Sequence, residues 1–348
     1  MAIQKSVLCD AEIVKLLQNS YGISVDRVQQ LALGTANCRK IFAGDKAFFF
    51  KEYQETFSEQ DLRREIALNE FLLSKSFPTA GFVEDRNGNK YNYINNRYIV
   101  VQNYIDGESY VKHDLPDNML FLAAEMLGQL HEILNEYELQ EETDTAWVDG
   151  FNLSKTAAEY DFLINRAAEI EDKEIRDRIK EDIIFKRELL YVIEPYRNFF
   201  DKLTYKFSHG DYCAMQYLCS GDKIKAVIDF ATAKKIPAVW EIMRSYMQSA
   251  KDTGNPFEFD VSKFCRYVRC YMQFSRLSEW DLKYMPYIYL YQLGRSRYGY
   301  REYMMNVENK DALLKFAFWR TDICRMLLDK KDVISQFLLD DIGRKDRQ

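Results

Sequence analysis

Three polar residues in the second half of the chain have the types and spacing for phosphate chemistry: Asp211, Gln216 and Asp229. Asp211 follows the His209-Gly210 turn, and Gln216 stands five residues later. Asp229 closes the apolar run Ala226-Val227-Ile228, which reads as a buried strand delivering a carboxylate at its end. Phosphoryl transfer needs a carboxylate to orient the acceptor hydroxyl. It also needs an acid and an amide oxygen to hold the Mg²⁺ that neutralises the phosphates. Any one of these acids by itself reads as a solvated surface group. The combination points to transfer of a phosphoryl group.

The elements that would position these groups fall into two regions. Extended segments are expected at 27–33, 38–43 and 46–53, joined through Gly34-Thr35-Ala36-Asn37 and Gly44-Asp45. Ser58 with Asp61 marks a helix start, and DLRREIALNEFLLSK continues as an amphipathic helix. Two more strands, around 90–94 and 98–102, flank Asn95-Asn96. After Tyr104-Ile105-Asp106-Gly107, helices dominate: about 117–135, 152–168, 172–200, 238–252, 260–274, 280–305 and 308–329. Residues 205–234 interrupt them as one short hairpin turning at Ser220-Gly221-Asp222. The fold class expected is α+β. Residues 1–103 make a small antiparallel sheet lobe with one helix, and residues 104–348 a large, mainly helical lobe.

HGDYCAMQYL followed by AVIDFATA resembles the aminoglycoside phosphotransferase and choline kinase-like family, whose pattern is His-Gly-Asp, four residues, Asn, then Ile-Asp-Phe/Trp. GQLHEI (128–133) is similar to the family's Leu-x-x-Leu-His helix, and PAVWEIMRSY (237–246) to the segment after the metal acid. The resemblance implies a protein-kinase-like, two-lobed fold and movement of the ATP γ-phosphate to a small-molecule hydroxyl. Asp211 would then be catalytic, with Gln216 and Asp229 as Mg²⁺ ligands. Lys51, on the strand KAFFFKEY, would grip the nucleotide phosphates and pair with Glu65, which matches the family's Arg-Glu position; Glu70 is the stand-in. Asn37 matches a residue common in the family's phosphate loop, and Gln102–Tyr104 would lie along the adenine, offering backbone groups. The sequence departs from the pattern at Gln216, where the family has Asn; Gln keeps the amide oxygen but moves it out by a methylene. That departure, with a single Gly in the phosphate loop, favours the competing expectation of a kinase-like binding or structural protein without turnover, for example one associated with a spore coat.

Composition narrows the field. The chain has 348 residues, 47% of them hydrophobic, enough for a substantial core. Its 48 basic and 54 acidic residues give a net charge of −6, which excludes a general nucleic-acid binder and leans the acceptor toward a cation. Only three histidines are present, His113, His131 and His209, too few for a His-rich metal centre. His131 and His209 read as braces of the catalytic loop rather than bases. Seven cysteines without a CxxC pair suggest reduced thiols, and no apolar run approaches a membrane span; a cytoplasmic location is expected. The stretch 284–303 holds seven tyrosines and three arginines, read as core packing before an aromatic cage or an RNA-stacking surface. Residues 169–188 mix both charge signs and read as a solvated helix face, with a lid over the acceptor as the alternative.

Overall fold

The computed structural model describes residues 4–31, 36–137 and 150–343. Its contacts separate two units, one of residues 2–109 with 216–233, the other of residues 110–215 with 234–348. The segment 216–233 therefore groups with the N-terminal residues.

In the first unit, helix α1 (Asp10–Leu16) passes into a π-turn that ends at Gly22, whose φ of +70° suits a residue without Cβ. Strands β1 (Arg27–Leu31), β2 (Asn37–Ala43), β3 (Lys46–Glu52), β4 (Asn92–Ile94) and β5 (Arg97–Asn103) form an antiparallel sheet in the order β1-β2-β3-β5-β4. The β4–β5 turn places Asn95 and Asn96 at φ of +50° and +62°, the two positive angles that a tight hairpin requires. Strand alternation then sorts the side chains. Phe50, Ile99 and Val101 face one side with Ile13 and Leu17 of the α1 region. Tyr53 and Val100 face the other, against Leu62 and Ile66 of helix α2 (Glu59–Ser74). Lys51 lies opposite Val100 in the ladder and shares that second side, which is why it meets α2. The Ser58 hydroxyl caps α2 by accepting from the Asp61 N–H at 3.1 Å.

The second unit contains α3 (Asp117–Leu134), α4 (Leu153–Ala167) and α5 (Lys173–Ile193). After strand β6 (Tyr205–Ser208) the chain enters the first unit as β7 (Tyr217–Ser220) and β8 (Lys223–Val227), then returns as β9 (Lys234–Pro237). Helices α6 (Ala238–Ser249), α7 (Val261–Met272), α8 (Glu279–Arg295), α9 (Tyr300–Met304) and α10 (Lys310–Leu338) follow.

The structure corrects five expectations. The single hairpin at 205–234 is two ribbons: β6 pairs with β9, and β7 with β8. The tight turn at Gly221, φ +60°, closes β7 onto β8 and leaves β6 to find a partner beyond Asp229. The helix expected over 280–305 breaks at 296–299, where Gly299 adopts φ +97°; α10 runs to Leu338 rather than 329. The expected 172–200 helix turns into a 3₁₀ segment at Glu194–Lys202, because Pro195 supplies no N–H. The mixed-charge face of α5 is not all solvated: Asp182 is buried and accepts from Arg178, Arg325 and Tyr300. Tyr289, Tyr291 and Tyr300 are core residues, in line with the packing expected of them. No described helix is long and apolar enough to cross a membrane.

Candidate active site

In the first unit, Lys51 lies between two carboxylates. Its ammonium is 2.9 Å from Asp229 Oδ1 and 3.6 Å from Glu65 Oε1. The Tyr53 hydroxyl donates to Glu65 Oε2 at 2.8 Å, fixing the rotamer that faces the lysine. Lys51 and Glu65 are nearly sealed from solvent, whereas the Asp229 side chain is 40% exposed. Burial opposes the charge on Lys51, yet Asp229 and Glu65 outweigh it and hold the ammonium well above the usual lysine pKa. Burial, with Asp229 adding like charge, raises Glu65. The result is a fixed cation between two carboxylates, of which Asp229 is the one partly open to solvent. Glu70, the stand-in, pairs instead with Lys90 at the surface.

Asp229 takes a left-handed backbone, φ +67°, unusual for a residue with a side chain. The β7–β8 ribbon sets that turn, with the Ile228 N–H donating to the Gln216 carbonyl at 3.0 Å. The same bond makes Gln216 and Asp229 neighbours. Their side chains offer an amide oxygen and a carboxylate, hard donors of the kind Mg²⁺ prefers. Among the described residues no three His, Cys, Asp or Glu side chains gather as a metal cage.

In the second unit, Asp211 sits on a loop braced by a buried acid. Glu241, on the first turn of α6, is completely buried and accepts from the His209 N–H at 3.0 Å through Oε2 and from the Gly210 N–H at 2.5 Å through Oε1. His131 of α3 lies 3.2 Å from Glu241 Oε2, 3.1 Å from Ser208 Oγ and 2.8 Å from the Tyr271 hydroxyl. Burial pushes the Glu241 pKa up, but the His131 hydrogen bond and charge, His209 and the Gly210 N–H prevail and hold it below the ordinary value. Gly210 supplies the positive φ, +83°, that the turn needs. The Asp211 N–H donates to His209 Nδ1 at 3.2 Å, so His209 shapes the loop as expected. The Asp211 carboxylate is ion-paired with Arg244, one helical turn beyond Glu241.

The other expected site residues are placed as follows. Asn37 begins β2 and donates to Glu52 at 3.2 Å and to the Gln4 carbonyl at 3.0 Å; the loop residues Leu33, Gly34 and Thr35 lie outside the described residues. Gln102 pairs with Phe49 in the sheet. The N–H groups of Asn103 and Tyr104 are taken up by the carbonyls of Gly81 and Ala47. Sequence reasoning missed Glu241 as the loop clamp and Arg244 as the partner of Asp211. PAVWEIMRSY held the signal, since residues three apart on a helix share a face.

A search of the curated proteins finds no match to the chain. Among solved structures, a spectinomycin phosphotransferase in complex with ADP and spectinomycin superposes with a TM-score of 0.62 at 14% identity, covering 96% of this chain and 98% of that one. A microcompartment-associated aminopropanol kinase gives 0.62 at 12% identity, covering 94% and 99%. An aminoglycoside phosphotransferase from Alicyclobacillus acidocaldarius gives 0.61 at 15% identity, covering 96% and 98%. The fold is therefore protein-kinase-like, with a small antiparallel sheet unit and a larger helical one. The sequence pattern of the phosphotransferase enzyme family matches residues 27–259, about two thirds of the chain, and the protein belongs to that family.

Proposed function

We propose that the protein is an ATP- and Mg²⁺-dependent kinase that moves the γ-phosphate to a hydroxyl of a small molecule. The observation that carries this is the sealed Lys51 ammonium between Glu65 and Asp229. Two acids keep this buried lysine charged, and a strongly perturbed charged cluster of that kind marks a functional site, here one suited to a nucleotide polyphosphate. Lys51 would hold the α- and β-phosphates. Asp229, with the Gln216 amide oxygen, would hold Mg²⁺, which when bound neutralises phosphate charge. Asp211 would orient the acceptor hydroxyl and take its proton late, as the acceptor oxygen bonds to γ-phosphorus and the bond to the β-phosphate oxygen breaks. Asn37 and the Gln102–Tyr104 segment are assigned to the nucleotide in the same scheme. ATP use and unbonded thiols suit a cytoplasmic setting.

The test is a phosphotransfer assay with MgATP over amino alcohols, sugars, hydroxy acids and aminoglycosides. Asp211→Asn is expected to lower kcat about 10²–10⁴-fold. Asp229→Ala is expected to abolish the thermal shift that MgATP produces. Full transfer by the Asp211 variant, or unchanged MgATP binding by the Asp229 variant, would remove the assignment.

A further inference from the structure

Three cations stand in the helical unit that carries Asp211: Lys112, Arg244 and Arg320. Arg244 pairs with the Asp211 carboxylate, and its Nε and Nη2 lie 3.1 Å from the Gln248 side-chain amide, which accepts from both once its oxygen is turned toward the guanidinium; its Nη1 is buried and bonds to nothing among the described residues. Lys112 and Arg320 share the ring of Phe316, with Lys112 Nζ 3.9 Å and Arg320 Cζ 5.6 Å from its centre. Phe316 and Arg320 are four residues apart on α10 and so occupy one face. Neither Lys112 nor Arg320 forms a hydrogen bond or ion pair with its charged group among the described residues.

The Lys112 backbone is held in place with some strain. The next residue, His113, has a left-handed φ of +62°, and its N–H donates to the Gln248 carbonyl at 3.2 Å. Its ring lies 3.2 Å from Thr253 Oγ1 and packs on Trp319 of α10, with centroids 4.6 Å apart. A strained residue fixed from three sides beside an unpaired lysine is what a preorganised binding group looks like.

The charges feel one another. Burial first, and then the like charges of Arg244 and Arg320, pull Lys112 below the usual lysine pKa, against Cys213 and Asp211. Burial, with Arg244, lowers Arg320. The groups that favour its charge, Tyr289, Cys324 and Tyr160, are buried and keep their protons at neutral pH; Tyr289 is pushed up to about 12. Asp211 is the carboxylate that pairs with Arg244, the oxygens of Glu241 are bound to the loop and to His131, and neither Lys112 nor Arg320 has a carboxylate partner among the described residues. Lys112 and Arg320 are half-buried, and partly desolvated charge of this kind without a paired anion is unfavourable.

We propose that the acceptor carries an anionic oxygen group, a carboxylate or a phosphate, which Lys112, Arg244 and Arg320 receive beside Asp211. This rests on the kinase assignment above and gives the acceptor its class. It is opposite in sign to the lean drawn from net charge, because local geometry and not the total of −6 sets the field at the site. Arginine's planar fork suits either oxyanion.

The experiment measures transfer from MgATP by the full chain to matched sets: short hydroxy-carboxylic acids, sugar and glycerol phosphates, and uncharged or amine-bearing alcohols including aminopropanol. The expected result is a kcat/KM at least tenfold higher for one anionic set, which also tells carboxylate from phosphate. Arg320→Gln and Lys112→Gln should raise KM for that acceptor about 10- to 100-fold, with kcat within threefold. Arg320→Lys should recover part of the loss, which a folding defect would not. Transfer to amines or neutral alcohols alone, no transfer in the panel despite MgATP binding, or an Arg320→Gln KM within twofold of the parent would each overturn the anionic assignment and leave nucleotide binding standing. Absence of MgATP binding in the parent protein would bring down the kinase assignment and this one together.

Discussion

Replacing Glu241 by Gln tests whether one buried carboxylate holds the Asp211 loop in place. The carboxylate uses both oxygens: Oε2 for the His209 N–H and His131, Oε1 for the Gly210 N–H. Glutamine has one oxygen. Whichever way its amide turns, the NH₂ group opposes one of the two backbone donors. A buried N–H left unsatisfied costs about 1–3 kcal/mol, and the surviving bonds lose their charge assistance at roughly 0.5–1 kcal/mol each. The expected destabilisation is about 2–4 kcal/mol, which in a chain of 348 residues is a fall in Tm of about 3–5 °C. The pH dependence carries a second signature. Because the native Glu241 pKa is depressed, its contribution is complete above the unfolded carboxylate value and is lost as pH falls through the native one. The difference between parent and variant should therefore shrink in acid. Urea unfolding at pH 7 and in the acid range, with kcat measured at pH 7, reads both effects. A variant that unfolds within 0.5 kcal/mol of the parent and keeps its kcat would refute the clamp.

Two further perturbations probe the frame around this loop. Gly128 faces α7 so closely that an added Cβ would run into the Tyr271 carbonyl and meet Phe274 Cβ at 3.1 Å. Gly128→Ala should cost about 1–3 kcal/mol by overpacking although alanine favours helix, and a neutral or stabilised variant in urea unfolding would contradict the packing. His113 is held down to about pKa 4 by burial and by Lys112. Its contribution is complete above the unfolded value near 6.5 and is lost as pH falls toward 4. His113→Asn preserves the left-handed backbone that Asn tolerates. After discounting for partial exposure, parent stability should fall about 1–2 kcal/mol further than the variant's between pH 7 and 4, whereas parallel stability curves would count against it.

Much of the candidate site was legible because it is written in local pattern. His209-Gly210-Asp211, the amide five residues on and the strand-ending Asp229 are contiguous signals, as are the Asn95-Asn96 turn and the Ser58 cap. The strand carrying Lys51 could be read from its apolar alternation, and Glu65 from its place on the helix that follows. These follow from residue type and from periods of two and 3.6, which the chain dictates on its own.

Tertiary structure decided the rest. Periodicity does not specify ladder partners, so the pairing of β6 with β9 emerged only once the Gly221 turn had closed β7 on β8. Nor does it say which of two helix acids meets Lys51; the side on which β3 presents that lysine chose Glu65 over Glu70. Glu241, Arg244, Lys112 and Arg320 look like ordinary surface charges in one dimension. Their meaning comes from burial, which makes an unshared charge expensive and a shared one decisive, and burial is a property of packed elements rather than of neighbours along the chain.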